Sequence, residues 1–292
     1  MGVRKTETGL NTKSESVSIP ASAPPRVLAN LILAPIVGWF AKVGRAYRLT
    51  VEHAGALGIL VWESIVAVVT LKVSFRDVLR QMHIMGVQSL PIVFVTASLA
   101  GIVTSQQGGY QLISSSPRYV LGTLVVQSVV LELGPLLTAI VLVGRIGARI
   151  TAELGTMVVS EQIDAFKSLG RDPVAILAAP RIIAGIITMP LLVGFADVIG
   201  IYAGMLMADL DGGLGKETFF YGARLFWHSW DLFYGFSKSL VFGFVIPVIS
   251  VHMGLRTRGG AEGVGLQTTQ AVMFMILTIL IIDALFPPLL LQ

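Results

Sequence analysis

The side chains that could do chemistry in this sequence are charged groups placed inside strongly apolar segments. Glu132 is the only charged residue between Tyr119 and Gly144, and Lys238 is the only charged residue within the stretch 232–251. A charge at the middle of a bilayer costs roughly 2.5–3.5 kcal/mol on insertion scales, so such a group should face a cavity or a charged partner. At about 1.5 Å per helical residue, Glu132 and Lys238 lie at depths within roughly 10 Å of each other. Two interpretations stay open: they line a polar pocket that opens outward, or they form a buried structural ion pair.

Other charged residues in apolar segments have simpler explanations. Asp197 and Asp283 each lie within a further apolar segment, where we expect neighbouring hydroxyl groups to cap them. Arg149 and Glu153 are separated by one helical turn, which would allow them to form an ion pair.

The sequence argues against an enzyme. The segment DGGLGKET (211–218) does not form a phosphate-binding loop. Such a loop requires Gly at position 210 and Ser or Thr at position 217, where this chain has Leu210 and Glu217. The four histidines are scattered, so no metal site is predicted, and the absence of cysteine excludes thiolate chemistry. The net charge of +4 is spread along the chain without an arginine-rich arm, so nucleic acid is not expected as a partner. We expect no cofactor in this chain.

The composition predicts an all-α polytopic membrane protein. Hydrophobic residues make up 54% of the chain and charged residues 13%, against about 25% charged in an ordinary soluble domain. Several apolar runs exceed the roughly 18–20 residues that cross a hydrocarbon layer. Residues 1–25 are polar and are predicted to be a disordered cytoplasmic tail.

We divide the remainder, 26–292, into a membrane-surface part and a transmembrane bundle. Residues 26–48 mix apolar and basic side chains, as an interfacial helix does. Segment 51–71 has basic residues on both sides, which favours a re-entrant or interfacial hairpin, although a genuine extra span remains an alternative. Residues 26–85 are therefore assigned to interfacial and re-entrant helices, and residues 86–292 to a bundle of five spans. The predicted spans are 86–110, the segment around Glu132 that reaches Arg145, 181–209, 232–252 and 269–290.

The basic residues predict the orientation. Five basic residues lie around one loop: Arg145, Arg149, Lys167, Arg171 and Arg181. The loops on the opposite side contain fewer basic residues, or contain acidic residues beside the basic ones. By the positive-inside rule the N-terminus is cytoplasmic and the C-terminus is outside.

The loop after the Glu132 span contains a short amphipathic helix, SEQIDAFKSLGRDP (160–173). Ser160 is a candidate N-cap, and Gly170 followed by Pro173 is a stop signal. Ile163, Phe166 and Leu169 form one apolar stripe, and Glu161 stands in the first turn. This cytoplasmic helix either rests on the membrane surface or docks into a groove of a cytoplasmic partner, as a coupling helix does.

Several long segments resemble the MlaE/YrbE permeases, the membrane subunits of MCE-type ABC lipid transporters. The segments are LELGPLLTAIVLVGRIGARITAELGTM, EQIDAFKSLGRDP and AAPRIIAGIITMPLL, with YGFSKSLVFG and LQTTQAVMF further along. The similarity extends over roughly residues 30–292. Relatives often have Arg before the glutamate, whereas this chain has Leu131.

The resemblance implies a transporter subunit and its partners. These are a second permease copy in a homodimer, two MlaF-like cytoplasmic ATPases that hydrolyse ATP, an MlaB-like STAS-domain protein and a periplasmic MlaD-like MCE hexamer. The substrate would be phospholipid, moved between the inner membrane and the MCE partner to maintain the lipid asymmetry of the outer membrane. The resemblance also implies a lipid pocket that includes Glu132, Leu133, Lys238 and Tyr110, and an ATPase-coupling role for the helix with Glu161, Ile163, Phe166 and Leu169.

Two other classes of function remain open from the residues. An ion-coupled secondary transporter would use Glu132, Asp197 or Asp283 as a proton site, but we find no repeated half with matching broken helices. A membrane scaffold would use the charged residues only as structural ion pairs.

Overall fold

The computed structural model describes residues 44, 48, 51–70, 72–112 and 117–290. Within these ranges every regular element is helical. The chain divides into two compact units, residues 1–54 and 55–292. The predicted tail (1–25) and almost all of the predicted interfacial helix (26–48) lie outside the described residues. In the first unit, the exposed side chains of Arg48 and Glu52 form an ion pair with an N–O distance of 2.8 Å.

Nine helices are formed by the described residues of the chain. They are α1 (Val51–Val69), α2 (Phe75–Met85), α3 (Leu90–Gln111), α4 (Val120–Val159), α5 (Gln162–Ser168), α6 (Val174–Gly212), α7 (Lys216–Leu225), α8 (Ser229–Leu255) and α9 (Gly260–Leu290). A short 3-10 turn, Val87–Ser89, joins α2 to α3. Helix α4 contains two π-helical turns, Val129–Leu133 and Val143–Gly147.

The predicted polytopic all-α fold is confirmed. Six helical segments of the described chain are long and apolar enough to cross a membrane: Val51–Val69, Phe75–Gln111, Val120–Val159, Val174–Gly212, Ser229–Leu255 and Gly260–Leu290. The last five contain the five predicted spans. The first is α1, which the sequence assigned to a re-entrant or interfacial hairpin. Because α1 is one uninterrupted helix, a hairpin within 51–69 is wrong; an interfacial helix and a sixth crossing both fit its length.

Helices α4, α6 and α8 form the centre of the bundle. Helix α3 packs along α6, and α9 packs against α4 and α8. The largest buried cluster joins side chains of these helices, among them Leu142, Leu154, Phe242 and Met275. Close contact depends on glycine at the crossing of α3 and α6, where a Cβ atom on Gly101 would overlap the backbone of Gly200. This packing brings α4, α8 and α9 together at the level of the intramembrane charges.

Candidate functional site

A buried lysine joins three helices at the centre of the site. The Nζ atom of Lys238 on α8 lies 2.7 Å from a carboxylate oxygen of Glu132 on α4 and 2.6 Å from one of Asp283 on α9. Its side chain is 0% exposed, against 43% for Glu132 and 10% for Asp283. The aromatic ring of Tyr234, one turn before Lys238, has its centre 5.6 Å from Nζ. One ammonium group therefore contacts two carboxylates and compensates one of their two negative charges. Glu132, the more exposed of the two carboxylates, is the one that solvent can reach, and a buried charge without a partner would be costly.

The backbone of α4 explains how Glu132 is presented. Proline at position 135 has no N–H group and cannot make the helical bond to the carbonyl of residue 131. The chain forms a π-helical turn, Val129–Leu133, directly before Gly134 and Pro135. Single π turns occur frequently at functional sites because they change the direction of the side chains they carry. Here the turn places the carboxylate of Glu132 between Lys238 and an open cavity.

That cavity is bordered by α3 and α4 and has a volume of about 770 Å³. Its wall is mostly apolar, with side chains such as Leu99, Val103 and Leu133. The polar lining groups are few: Thr96, Thr104, Gln107, Gln111, Ser128 and Glu132. A concave, largely apolar surface with a few polar groups is typical of a small-molecule or lipid site. The cavity therefore suits a ligand with apolar chains and a polar head.

The four predicted pocket residues are placed differently. Glu132 and Leu133 lie on the cavity wall. Lys238 lies behind Glu132, completely buried, so it holds the glutamate and does not itself line the cavity. Tyr110 is 85% exposed at the end of α3 and does not line the cavity, although Gln107 and Gln111 of the same helix do.

The structure corrects the expectation for the two aspartates. Asp283 is not capped by a hydroxyl group, because it forms an ion pair with Lys238. The Oδ1 atom of Asp197 is buried and has no hydrogen-bond partner among the described residues. It lies against Gly134, where a Cβ atom would overlap it. Sequence reasoning considered Asp283 as a capped carboxylate or a proton site and missed its pairing with Lys238. Its position in an apolar span was visible, but the choice of partner depends on how α8 and α9 pack.

The predicted coupling helix is present as α5, with a different beginning. The N-cap is Glu161, in a left-handed conformation with φ of 59°, and not Ser160. The hydroxyl of Ser160 donates instead to the carbonyl of Thr156 at 2.8 Å. The helix stops as predicted before Gly170, whose φ is 69°.

The apolar stripe of α5 mostly faces its own chain. Ile163 is buried and Phe166 packs against the main hydrophobic cluster, whereas Leu169 is 75% exposed. The exposed surface of α5 also carries Glu161 and the ion pair between Asp164 and Lys167. A partner would therefore meet Leu169 and Glu161, whereas Ile163 is buried and Phe166 is only partly exposed.

The predicted pairing of Arg149 with Glu153 is wrong. Glu153 accepts a hydrogen bond of 2.8 Å from Nη2 of Arg181, which is buried on α6.

The described residues contain no cluster of three or more His, Cys, Asp or Glu side chains that could bind a metal ion.

Comparison with known proteins agrees with this architecture. The family model described as Permease MlaE matches residues 78–288. A probable ABC transporter permease protein of Rickettsia typhi is 36% identical over 244 residues, covering 82% of this chain and 94% of the relative. A probable ABC transporter permease protein of Synechocystis is 37% identical over 210 residues, covering 72% of this chain and 80% of the relative.

A third relative has a more specific name. The intermembrane phospholipid transport system permease protein MlaE of Haemophilus influenzae is 31% identical over 250 residues, covering 85% of this chain and 95% of the relative. The chain is thus a multi-pass membrane permease subunit that belongs to the MlaE permease family.

Proposed function

We propose that this permease moves phospholipid, and that the cavity between α3 and α4 holds the lipid during transport. The observation that carries the proposal is the position of Glu132, which is nearly half exposed on the wall of a largely apolar cavity and is anchored by the buried Lys238. Apolar walls stabilise acyl chains by about 0.8 kcal/mol for each buried CH₂ group. The carboxylate offers hydrogen-bond acceptors to a polar headgroup at the same site.

The name of the relative from Haemophilus influenzae supports the same substrate class, because that protein is called an intermembrane phospholipid transport permease. We further propose that the chain lies in the cell inner membrane, and the distribution of its basic residues supports a cytoplasmic N-terminus and a periplasmic C-terminus. We also propose the partners of an MCE system: a second permease copy, an MlaF-like ATPase, an MlaB-like STAS-domain protein and an MlaD-like MCE hexamer. ATP hydrolysis is assigned to the ATPase, and the transported lipid contributes to the asymmetry of the outer membrane.

The cavity supports a homodimer. It lies between α3 and α4 and is open to the surroundings. A second copy packed along that side would close the cavity around a lipid and exclude the surrounding bilayer.

The ATPase is proposed to dock on the exposed surface of α5. Leu169 is the exposed apolar residue of the helix, and Glu161 is exposed beside its first turn. A helix that docks in a groove does so through apolar side chains at helical spacing, and Leu169 is the exposed member of that set here.

The function is tested with the complex purified together with its ATPase and placed in vesicles with fluorescent phospholipid. We expect lipid movement that requires ATP and is lost in Glu132→Gln, together with less co-purified phospholipid. Glu262→Gln, at an exposed glutamate outside the cavity, is the control and should behave as the wild type. Lipid movement that persists without ATP hydrolysis would contradict the ABC mechanism.

An ion-coupled secondary transporter is the second candidate, because Asp197 has a buried oxygen without a hydrogen-bond partner among the described residues. Such a transporter would follow an imposed pH gradient without ATP and would lose transport in Asp197→Asn. The same vesicles, energised with ATP or with a pH gradient, separate the two mechanisms.

A further inference from the structure

A second cavity, of about 260 Å³, lies at the end of the bundle that carries α5. It is walled by α2, α4 and α6 and has no lining residue in common with the Glu132 cavity. Its charged lining residues are Asp77, Arg80, Arg149, Glu153 and Arg181. Three guanidinium groups against two carboxylates leave an excess of positive charge in a confined space.

Arg181 shows that the cavity is built for a hydrogen-bond acceptor. Its side chain is 3% exposed. One Nη atom donates to the carbonyl of Leu177 at 2.7 Å and the other to Glu153 at 2.8 Å. The third guanidinium nitrogen, Nε, is buried and has no acceptor among the described residues. A buried donor without an acceptor is costly, so a group that accepts from Nε would be bound favourably.

Arg80 and Arg149 provide further donors. Both are exposed, and neither forms an ion pair with another described residue. The carboxylate of Glu153, one turn from Arg149, is already bound to Arg181. Guanidinium groups bind phosphate oxygens through paired N–H donors, and several of them around one cavity favour an anion with more than one oxygen.

The rest of the wall is apolar and distinguishes a lipid from a free anion. Ile84, Met85, Ile150 and Met157 line the same cavity beside the arginines. A free phosphate would use only the basic part, whereas a phospholipid would place its phosphodiester on the arginines and its glycerol and first chain carbons on the apolar part. Basic pockets between transmembrane helices are known to bind lipid headgroups.

We propose that this cavity binds the phosphodiester headgroup of a phospholipid through Arg80, Arg149 and the Nε atom of Arg181. The bound lipid would join α2 to α4 and α6 next to α5. This site does not depend on the Glu132 cavity, and it would exist whether or not the chain transports lipid.

The test uses the full chain, purified and depleted of lipid in detergent, with binding measured by native mass spectrometry. The probes are dihexanoylphosphatidylglycerol, dihexanoylglycerol without the phosphate, and inorganic phosphate. The variant is Arg80→Gln combined with Arg149→Gln. The matched control is Arg76→Gln combined with Arg171→Gln, which removes two exposed arginines that do not line the cavity. Thermal unfolding of both variants shows that they are folded.

We expect one phosphatidylglycerol binding event to weaken at least tenfold in the variant and to stay unchanged in the control. Dihexanoylglycerol should not occupy this site. Equal affinity of the variant and the control for the phospholipid would overturn the proposal. Inorganic phosphate that binds as tightly as dihexanoylphosphatidylglycerol would reject the lipid as occupant and assign the site to a free anion.

Discussion

Lys238 donates to the carbonyl oxygen of Leu131 over 3.4 Å, and this is the carbonyl that Pro135 cannot use in a helical hydrogen bond. The same Nζ atom contacts the carboxylate of Glu132, the next residue along α4. The lysine therefore binds a backbone group and a side chain of one π-helical turn. Presentation of Glu132 to the cavity depends on two residues, Pro135 on its own helix and Lys238 on α8.

The first prediction separates Lys238 from Glu132. Lys238→Met leaves Glu132 and Asp283 without their cation in an apolar interior, and loss of one partner of a buried pair costs about 3–5 kcal/mol. We expect this variant to unfold at a clearly lower temperature and to lose its partners. Glu132→Gln should stay folded, because Lys238 keeps its 2.6 Å contact with Asp283.

These outcomes are measured as thermal unfolding in detergent and as phospholipid retained per chain. The triple variant Lys238→Met, Glu132→Gln, Asp283→Asn should recover stability without recovering lipid retention. If Glu132→Gln unfolds as readily as Lys238→Met, Glu132 belongs to the structural scaffold and not to a lipid site.

The second prediction concerns Pro135. Pro135→Ala restores the N–H group that a regular helix needs and so favours conversion of the π turn Val129–Leu133 to an α-helix. An α-helical turn is narrower than a π turn, so this conversion would change the direction of the Glu132 side chain and turn it away from Lys238. We expect normal membrane insertion but reduced phospholipid retention, comparable with Glu132→Gln.

Leu136→Ala, at a partly buried position next to Pro135, is a control for a general loss of packing. Lipid retention by Pro135→Ala equal to that of the wild type would show that the π turn does not depend on the proline.

Much of the fold was predictable, because hydrophobic segments of sufficient length define membrane helices without knowledge of their contacts. The proximity of Glu132 and Lys238 was also accessible, since depth along a helix can be counted from its ends. The contact with Asp283 was not, because depth does not give the direction in which a side chain points. Similarly, the apolar stripe of α5 was visible, but its burial against its own chain depends on tertiary packing.

The third prediction revises the role of α5. Phe166 packs against the main hydrophobic cluster, so Phe166→Asp should destabilise the permease itself. Leu169 is 75% exposed, so Leu169→Asp should leave the unfolding temperature unchanged while it abolishes co-purification of the ATPase. Lys167→Asp, at an exposed position of the same helix, tests whether any new negative charge is enough. Normal ATPase binding by Leu169→Asp would rule out α5 as the docking surface.

The last prediction concerns topology and the state of α1. The chain has no native cysteine, so single cysteines can be labelled with an impermeant thiol reagent without background. Gly215→Cys lies in the α6–α7 connection and Ala261→Cys in the first turn of α9, and neither position has a positive φ. We expect Gly215→Cys to react in intact cells and Ala261→Cys only after permeabilisation. Glu52→Cys lies in the first turn of α1, and Thr70→Cys directly follows its last residue. An interfacial α1 leaves both protected until permeabilisation, whereas reaction of Glu52→Cys alone in intact cells would make α1 a sixth span and place the N-terminus outside.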